Sequence, residues 1–211
     1  MIPADSKDGL DDVVKCLAAH GITRSYPKNA VIITEGDTCG PLYLILSGRV
    51  KVFLSDPSGK EVALAVFGPG EYVGEMALAG TARSASVVTL EPCVLSVIAQ
   101  AQFRQFVNSH PDAALHLIRK LIGRAQAATS NIRSLALMDV YGRVARLLID
   151  LACEVDGQLM ISEPLTQRDI ASRVGCSREM VSRIFKDLVA GGYLRVEGRQ
   201  IFICRTLPGR W

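Results

Sequence analysis

The stretch TQRDIASRVGCSREMVSRIFKDLVA, Thr166 to Ala190, decides how the C-terminal part of the chain folds. Thr166 and Asp169 form a capping-box-like pattern, in which the Thr166 hydroxyl accepts backbone N–H groups and Asp169 favours the positive end of a helix. A second helix start follows at Ser177, whose side chain can cap a helix running to about Ala190. Gly175-Cys176 between them leaves room only for a bihelical corner. The small and apolar positions agree with that corner. Ala171 falls where the two helices cross and Gly175 where the turn needs a positive φ angle, while Ile170, Val174, Val181 and Ile184 supply a shared core. Helical hairpins of this kind also occur in proteins of unrelated purpose.

The opposite face of the second helix carries Arg178, Glu179, Ser182, Arg183 and Lys186. Arginine can bond guanine O6 and N7 with two parallel hydrogen bonds, and glutamate can accept from cytosine N4. The trio Arg178, Glu179 and Arg183 therefore suits a G/C-containing half-site in a DNA major groove. The alternative is a solvated charged face, common on any helix. After Gly191-Gly192, the runs Tyr193 to Val196 and Gln200 to Cys204 flank Glu197-Gly198-Arg199 and predict a hairpin wing beside the nucleic-acid backbone. Charge points the same way. The whole chain carries only +3, yet from Thr166 onward there are nine Lys/Arg against four Asp/Glu, so the basic surplus lies at the C-terminal end.

Upstream, Asp139 to Val155 reads as one amphipathic helix (Val140, Val144, Leu147, Leu148, Leu151) ended by Gly157. From Pro111 to about Met138, Ala114, Ile118, Leu121, Ala125, Ala128, Ile132 and Leu135 recur at alternating spacings of four and three, a heptad seam. Such a stripe can lie on its own domain's core or pair with the same helix of a second copy. The central alanines would let two backbones approach and Thr129-Ser130 would set polar groups beside the seam, so pairing is the favoured reading. Gly123 costs this helix about 1 kcal/mol against alanine and marks a close approach or a slight bend.

Before the seam the pattern is all-β. Ala30 to Thr34, Leu42 to Leu46, Arg49 to Leu54, Glu61 to Phe67 and Ala85 to Leu90 are separated by Glu35-Gly36-Asp37, Ser47-Gly48, Asp56-Pro57-Ser58-Gly59 and Gly68-Pro69-Gly70. That spacing predicts a small barrel or jelly roll. An acidic leader with Asp5, Asp8, Asp11 and Asp12 precedes it, helical from Asp11 to Ala19. The predicted fold class is α+β, with an N-terminal β-roll over residues 1–110, a long dimerisation helix over 111–138 and a winged helix-turn-helix over 139–211.

Other function classes find little support. No run of about eighteen apolar residues occurs and the start of the chain lacks a basic-then-apolar signal pattern, which predicts a cytoplasmic protein. Cys16, Cys39, Cys93, Cys153, Cys176 and Cys204 are scattered, and His20, His110 and His116 do not cluster, so no metal, haem or iron-sulfur cluster is expected. No nucleophile-base constellation or Walker loop marks an enzyme.

At Gly175-Cys-Ser-Arg-Glu-Met-Val-Ser-Arg-Ile184 the sequence closely resembles the recognition region of the Crp/Fnr family of transcription regulators, and the resemblance extends over nearly the whole chain. It implies a cyclic-nucleotide-binding β-roll, a dimerisation helix and a DNA-binding winged helix-turn-helix, with RNA polymerase as a further partner. It also implies TGTGA-like inverted half-sites, with Arg178, Glu179 and Arg183 on bases and Gln167, Arg168 and Ser177 near phosphates.

Within the roll, Gly74-Glu75 and Arg83-Ser84-Ala85 resemble that family's phosphate-binding cassette. The implied roles are chemically apt: Arg83 neutralises a cyclic phosphate, Ser84 and the Ala85 amide bond its oxygens, and Glu75 accepts from the ribose 2′-hydroxyl. Thr129 and, from a second subunit, Ser130 match positions that meet the adenine of cyclic AMP. Without the resemblance, Arg83 is a surface cation and Thr129-Ser130 a polar patch. Only seven residues separate Glu75 from Arg83, so this cassette is shortened. Cyclic di-GMP, or DNA binding with no ligand, is the competing expectation.

Overall fold

The computed structural model describes residues 7–38, 40–57, 59, 61–155, 157–162, 164–198 and 200–208. Asp5, Cys39, Ser58 and Arg199, named above, lie outside the described residues. The chain divides into two compact units, Met1–Arg124 and Ala125–Trp211, and the division falls inside the long helix.

In the first unit α1 (Lys7–Ala19) precedes eight strands: β1 (Ile22–Tyr26), β2 (Val31–Ile33), β3 (Leu42–Ser47), β4 (Val50–Ser55), β5 (Glu61–Phe67), β6 (Tyr72–Val73), β7 (Ser86–Thr89) and β8 (Cys93–Ile98). They form two four-stranded antiparallel sheets, β1-β8-β3-β6 and β2-β7-β4-β5, the layered arrangement of a β-roll. Five strands match the expected runs within one residue at each end. Two apolar clusters fill the unit. One, around Ile33, Ile45, Val50, Val73, Val87 and Leu95, lies between strands. The other joins Leu42, Leu44, Tyr72 and Ile98 to Leu17 of α1 and to Phe103 and Phe106 of α2 (Gln100–Ser109). Alternation alone would expose Ser96, yet it is buried, because its Oγ donates to Ala18 O at 2.8 Å; Thr89, on the same face as Val87, is buried with its Oγ1 donating to Pro27 O at 2.7 Å.

The long helix α3 (Pro111–Leu137) runs the length of the heptad seam. It stops because Asp139 caps a new helix, α4 (Val140–Leu151), with its carboxylate accepting from Gly142 N at 2.7 Å.

The expectation of one helix from Asp139 to Val155 is corrected here. Helix α4 ends at Leu151, Ala152 turns extended, and β9 (Cys153–Val155) pairs back on β10 (Gln158–Ile161) through Gly157 at φ 74°. That glycine closes a hairpin, not a helix.

The helices α5 (Gln167–Val174) and α6 (Arg178–Ala190) follow, then the hairpin β11 (Leu194–Glu197) and β12 (Gln200–Ile203). The sheet order β11-β12-β10-β9 backs a core built from Val144, Leu148, Ile161, Ile170, Val181, Ile184, Leu188, Leu194 and Ile201.

Candidate functional site

The cassette residues converge around Arg83, which is 5% exposed. Sequence alone leaves it on the surface; the fold buries it. Its Nη1 donates to Gly74 O and its Nη2 to Pro41 O, both at 2.7 Å. Its backbone is fixed as well, with Arg83 N donating to Asp37 O and Gly36 N to Arg83 O. Glycine is required at two walls of this slot. A Cβ on Gly74, at φ 88°, would stand 2.6 Å from Arg83 Nη1, and one on Gly40 would strike Arg83 Nη2. Ala85 is buried beside it, while Ser84 is exposed and its hydroxyl meets Met76 Sδ.

Glu75 opens a short 3-10 helix, Glu75–Ala79, that spans the shortened cassette. Its carboxylate pairs with Arg124 Nη1 of α3 at 2.9 Å. Arg124 also donates to Tyr72 O and to Glu71, its guanidinium lies 4.2 Å from the centre of the Phe67 ring, and Lys120 completes the cluster by pairing with Glu71. Sequence reading misses Arg124 and Lys120. Their four-residue spacing beside the apolar seam is the signal that could have found them. Tyr72, packed against this cluster, has its phenol pushed well above the usual range by burial.

Thr129 and Ser130 fall in the second unit, both exposed, with the Thr129 hydroxyl donating to Ala125 O one turn back.

The helix pair is built as its caps foretell. Thr166 Oγ1 accepts from Asp169 N at 3.1 Å while Asp169 accepts from Thr166 N at 2.9 Å. Gly175 adopts φ 70°, ψ 45°, and both Gly175 N and Cys176 N donate to Ala171 O. Ser177 Oγ accepts from Met180 N and so caps α6. Val181, Ile184, Phe185 and Leu188 are buried, leaving Arg178, Glu179, Ser182, Arg183 and Lys186 in solvent on the other side. Glu179 is held ionised, its carboxyl lowered first by its own backbone N–H and then by the Ser177 hydroxyl. It is therefore an acceptor. Arg168 at the start of α5 is exposed and Gln167 half-buried. This makes a convex helix, cationic with one acceptor, of a width that enters a major groove.

Residues 23–110 match the cyclic nucleotide-binding domain family, and residues 142–206 match the Crp-like helix-turn-helix domain. The chain is 31% identical over 205 residues to the cAMP-activated global transcriptional regulator CRP of Salmonella typhimurium, covering 95% of this chain and 98% of that protein. It is 32% identical over 198 residues to the cAMP-activated regulator Vfr of Pseudomonas aeruginosa, covering 90% and 92%. This chain belongs to the Crp/Fnr family of transcription regulators. Among solved structures, the c-di-GMP-responsive global regulator CLP of Xanthomonas campestris superposes with a TM-score of 0.81 at 29% identity, covering 93% of this chain and all of that one. The regulator described here is accordingly a ligand-responsive, DNA-binding protein of that family. No helix among its described residues is long and apolar enough to cross a membrane.

Proposed function

We propose that two copies of this chain form an effector-gated regulator in which a cyclic nucleotide, cyclic AMP in the first instance, sets the DNA-reading helices onto TGTGA-like inverted half-sites. The observation that carries the reading is the Arg83 guanidinium. It is buried, and among the described residues it bonds to carbonyl oxygens and has no carboxylate partner. A buried cation without a counter-charge is costly, and a phosphate bonded to it offsets that cost. Two of its five N–H donors are spent on carbonyls, leaving three for an anion.

Around it, Gly74 gives the backbone room, Ser84 and the Ala85 amide bond phosphate oxygens, and Glu75 accepts from the ribose. Thr129 and Ser130 of the partner subunit are assigned to the base by family resemblance. The DNA side is assigned to Arg178, Glu179 and Arg183 on base edges and to Gln167, Arg168 and Ser177 near phosphates. Such a protein works in the cytoplasm and contacts RNA polymerase at its promoters.

Pairing of two copies is supported by the α3 seam. In the single chain Ile118, Leu121, Ile132 and Leu135 are all exposed, Ile132 to 67%. An apolar stripe of that length without a partner is what a second copy covers.

Cyclic di-GMP is the second reading, favoured by the likeness to CLP and by the shortened cassette. Calorimetric titration with cyclic AMP, cyclic GMP and cyclic di-GMP separates the readings, and Arg83→Leu should weaken the nucleotide that binds by roughly 10- to 100-fold, the worth of a charge-assisted hydrogen bond. If no nucleotide binds and promoter affinity is indifferent to all three, the gating reading fails and a constitutive DNA-binding protein remains.

A further inference from the structure

We infer that Arg143 is a positioning residue that latches the DNA-reading helix pair to the break between α3 and α4; the inference rests on the assignment of α6 to the DNA groove. Arg143 lies in the first turn of α4, half-buried. Its Nη1 donates to Met138 O at 3.0 Å and its Nε to Val174 O at 2.9 Å. These two carbonyls belong to different elements. Met138 follows the last residue of α3, and Val174 is the last residue of α5.

Both carbonyls are left over by the way each helix ends. A helix running on through Met138 would bond Met138 O to Gly142 N, but that amide is taken by the Asp139 carboxylate. A helix running on through Val174 would bond Val174 O to Arg178 N, but α5 ends at the left-handed Gly175 and Arg178 opens α6 instead. A single guanidinium thus serves two orphan carbonyls at two helix C-termini, where the backbone dipoles favour a cation. Among the described residues no carboxylate pairs with Arg143, so its charge is met by these helix ends.

A second contact lies along the same line. Leu135, in the last turn of α3, stands 3.7 Å from where a Cβ on Gly175 would project. The end of the long helix therefore lies beside the corner of the helix pair, while Arg143 ties the break to the end of α5. A shift of α3 carries α5 with it, and α6 follows through the corner. Arginine's rigid plane can hold two acceptors in fixed directions, which a lysine cannot.

The test uses the full chain with Arg143→Met and Arg143→Lys, measuring fluorescence anisotropy on a duplex holding a TGTGA inverted repeat and on a random duplex, beside thermal melting. Arg143→Met should lose at least about tenfold on the repeat and less than about twofold on random DNA, with Arg143→Lys between it and the parent. Equal loss on both duplexes with a lowered melting point would reduce Arg143 to a structural strut, and unchanged affinity for the repeat would remove the latch altogether.

If the parent chain shows no preference for the repeat, the assignment of α6 fails instead, and the latch is then read by hydrogen exchange. Arg143→Met should speed exchange at residues 139–143 and 174–177 by about tenfold while the interior of α6 stays protected. Unaltered exchange there overturns the inference.

Discussion

The Glu75 carboxylate is held at 2.9 Å by Arg124, a residue of α3, although the sequence places Glu75 in the cassette and Arg124 beside the apolar seam. Both side chains are largely buried, and Arg124 spends further donors on Glu71 and Tyr72 O. The acid proposed to meet the ribose is thus tethered to the helix proposed to pair two copies. One ion pair thus joins the two proposed roles.

Arg124→Met leaves Glu75 without its cation in a poorly solvated place, which costs about 1–3 kcal/mol. Calorimetric melting should show a drop of several degrees, at about 2–4 °C per kcal/mol for a chain of this size. Arg124→Lys, which keeps the charge but loses the fork, should recover part of it. A melting point equal to that of the parent in the Met variant would show that the pair contributes no net stability.

Arg178→Ala should weaken binding to the inverted-repeat duplex by about 1–3 kcal/mol and leave random DNA nearly untouched, since a base-reading side chain contributes only where its base is present. Gel shifts on both duplexes at one fixed salt concentration make the comparison. Loss of equal size on the two would turn Arg178 into a phosphate contact.

Ile132→Glu puts a charge in the middle of the exposed α3 stripe and should shift the protein to monomer in sedimentation velocity, with promoter binding falling in step. Gly123 offers a finer probe. A Cβ there meets nothing within 4 Å in the single chain, so Gly123→Ala should stabilise the helix by about 1 kcal/mol if that space stays open, and weaken self-association if a second backbone fills it.

The helix pair was legible almost residue by residue because each of its signals is local. Thr166 with Asp169, Gly175 at positive φ and Ser177 each act within a turn of where they stand. Five strands of the roll were legible to within a residue for the same reason, glycine-rich turns setting their ends, while β1, β6 and β8 went unnamed. What failed was long-range. Residues 153–155 continue an apolar pattern and become a strand only because β10 and β12 lie beside them, and Arg124 meets Glu75 only once the roll has closed. Burial of Arg83 was invisible too, for it depends on the two glycines that make its slot.

His116 yields the pH prediction. It is 7% exposed, packed among Leu17, Phe103 and the tilted Tyr72 ring, and neither ring nitrogen has a hydrogen-bond partner among the described residues. Burial first, and then the nearby Lys120, hold its pKa below the ordinary histidine value, while Glu71 pulls weakly the other way. The unfolded chain, titrating near about 6.5, therefore binds a proton at a pH where the folded chain still does not.

Between that value and the lower folded one, acidification favours unfolding. Stability due to this group is intact above about pH 6.5 and declines as pH falls, by up to about 1.4 kcal/mol per pH unit, until the folded imidazole protonates as well. Urea unfolding at several pH values between 7.5 and 5 should show that slope in the parent chain, and His116→Leu, which keeps the volume apolar, should flatten it. An identical slope in both proteins would assign the acid sensitivity to other groups and leave His116 as an inert part of the core.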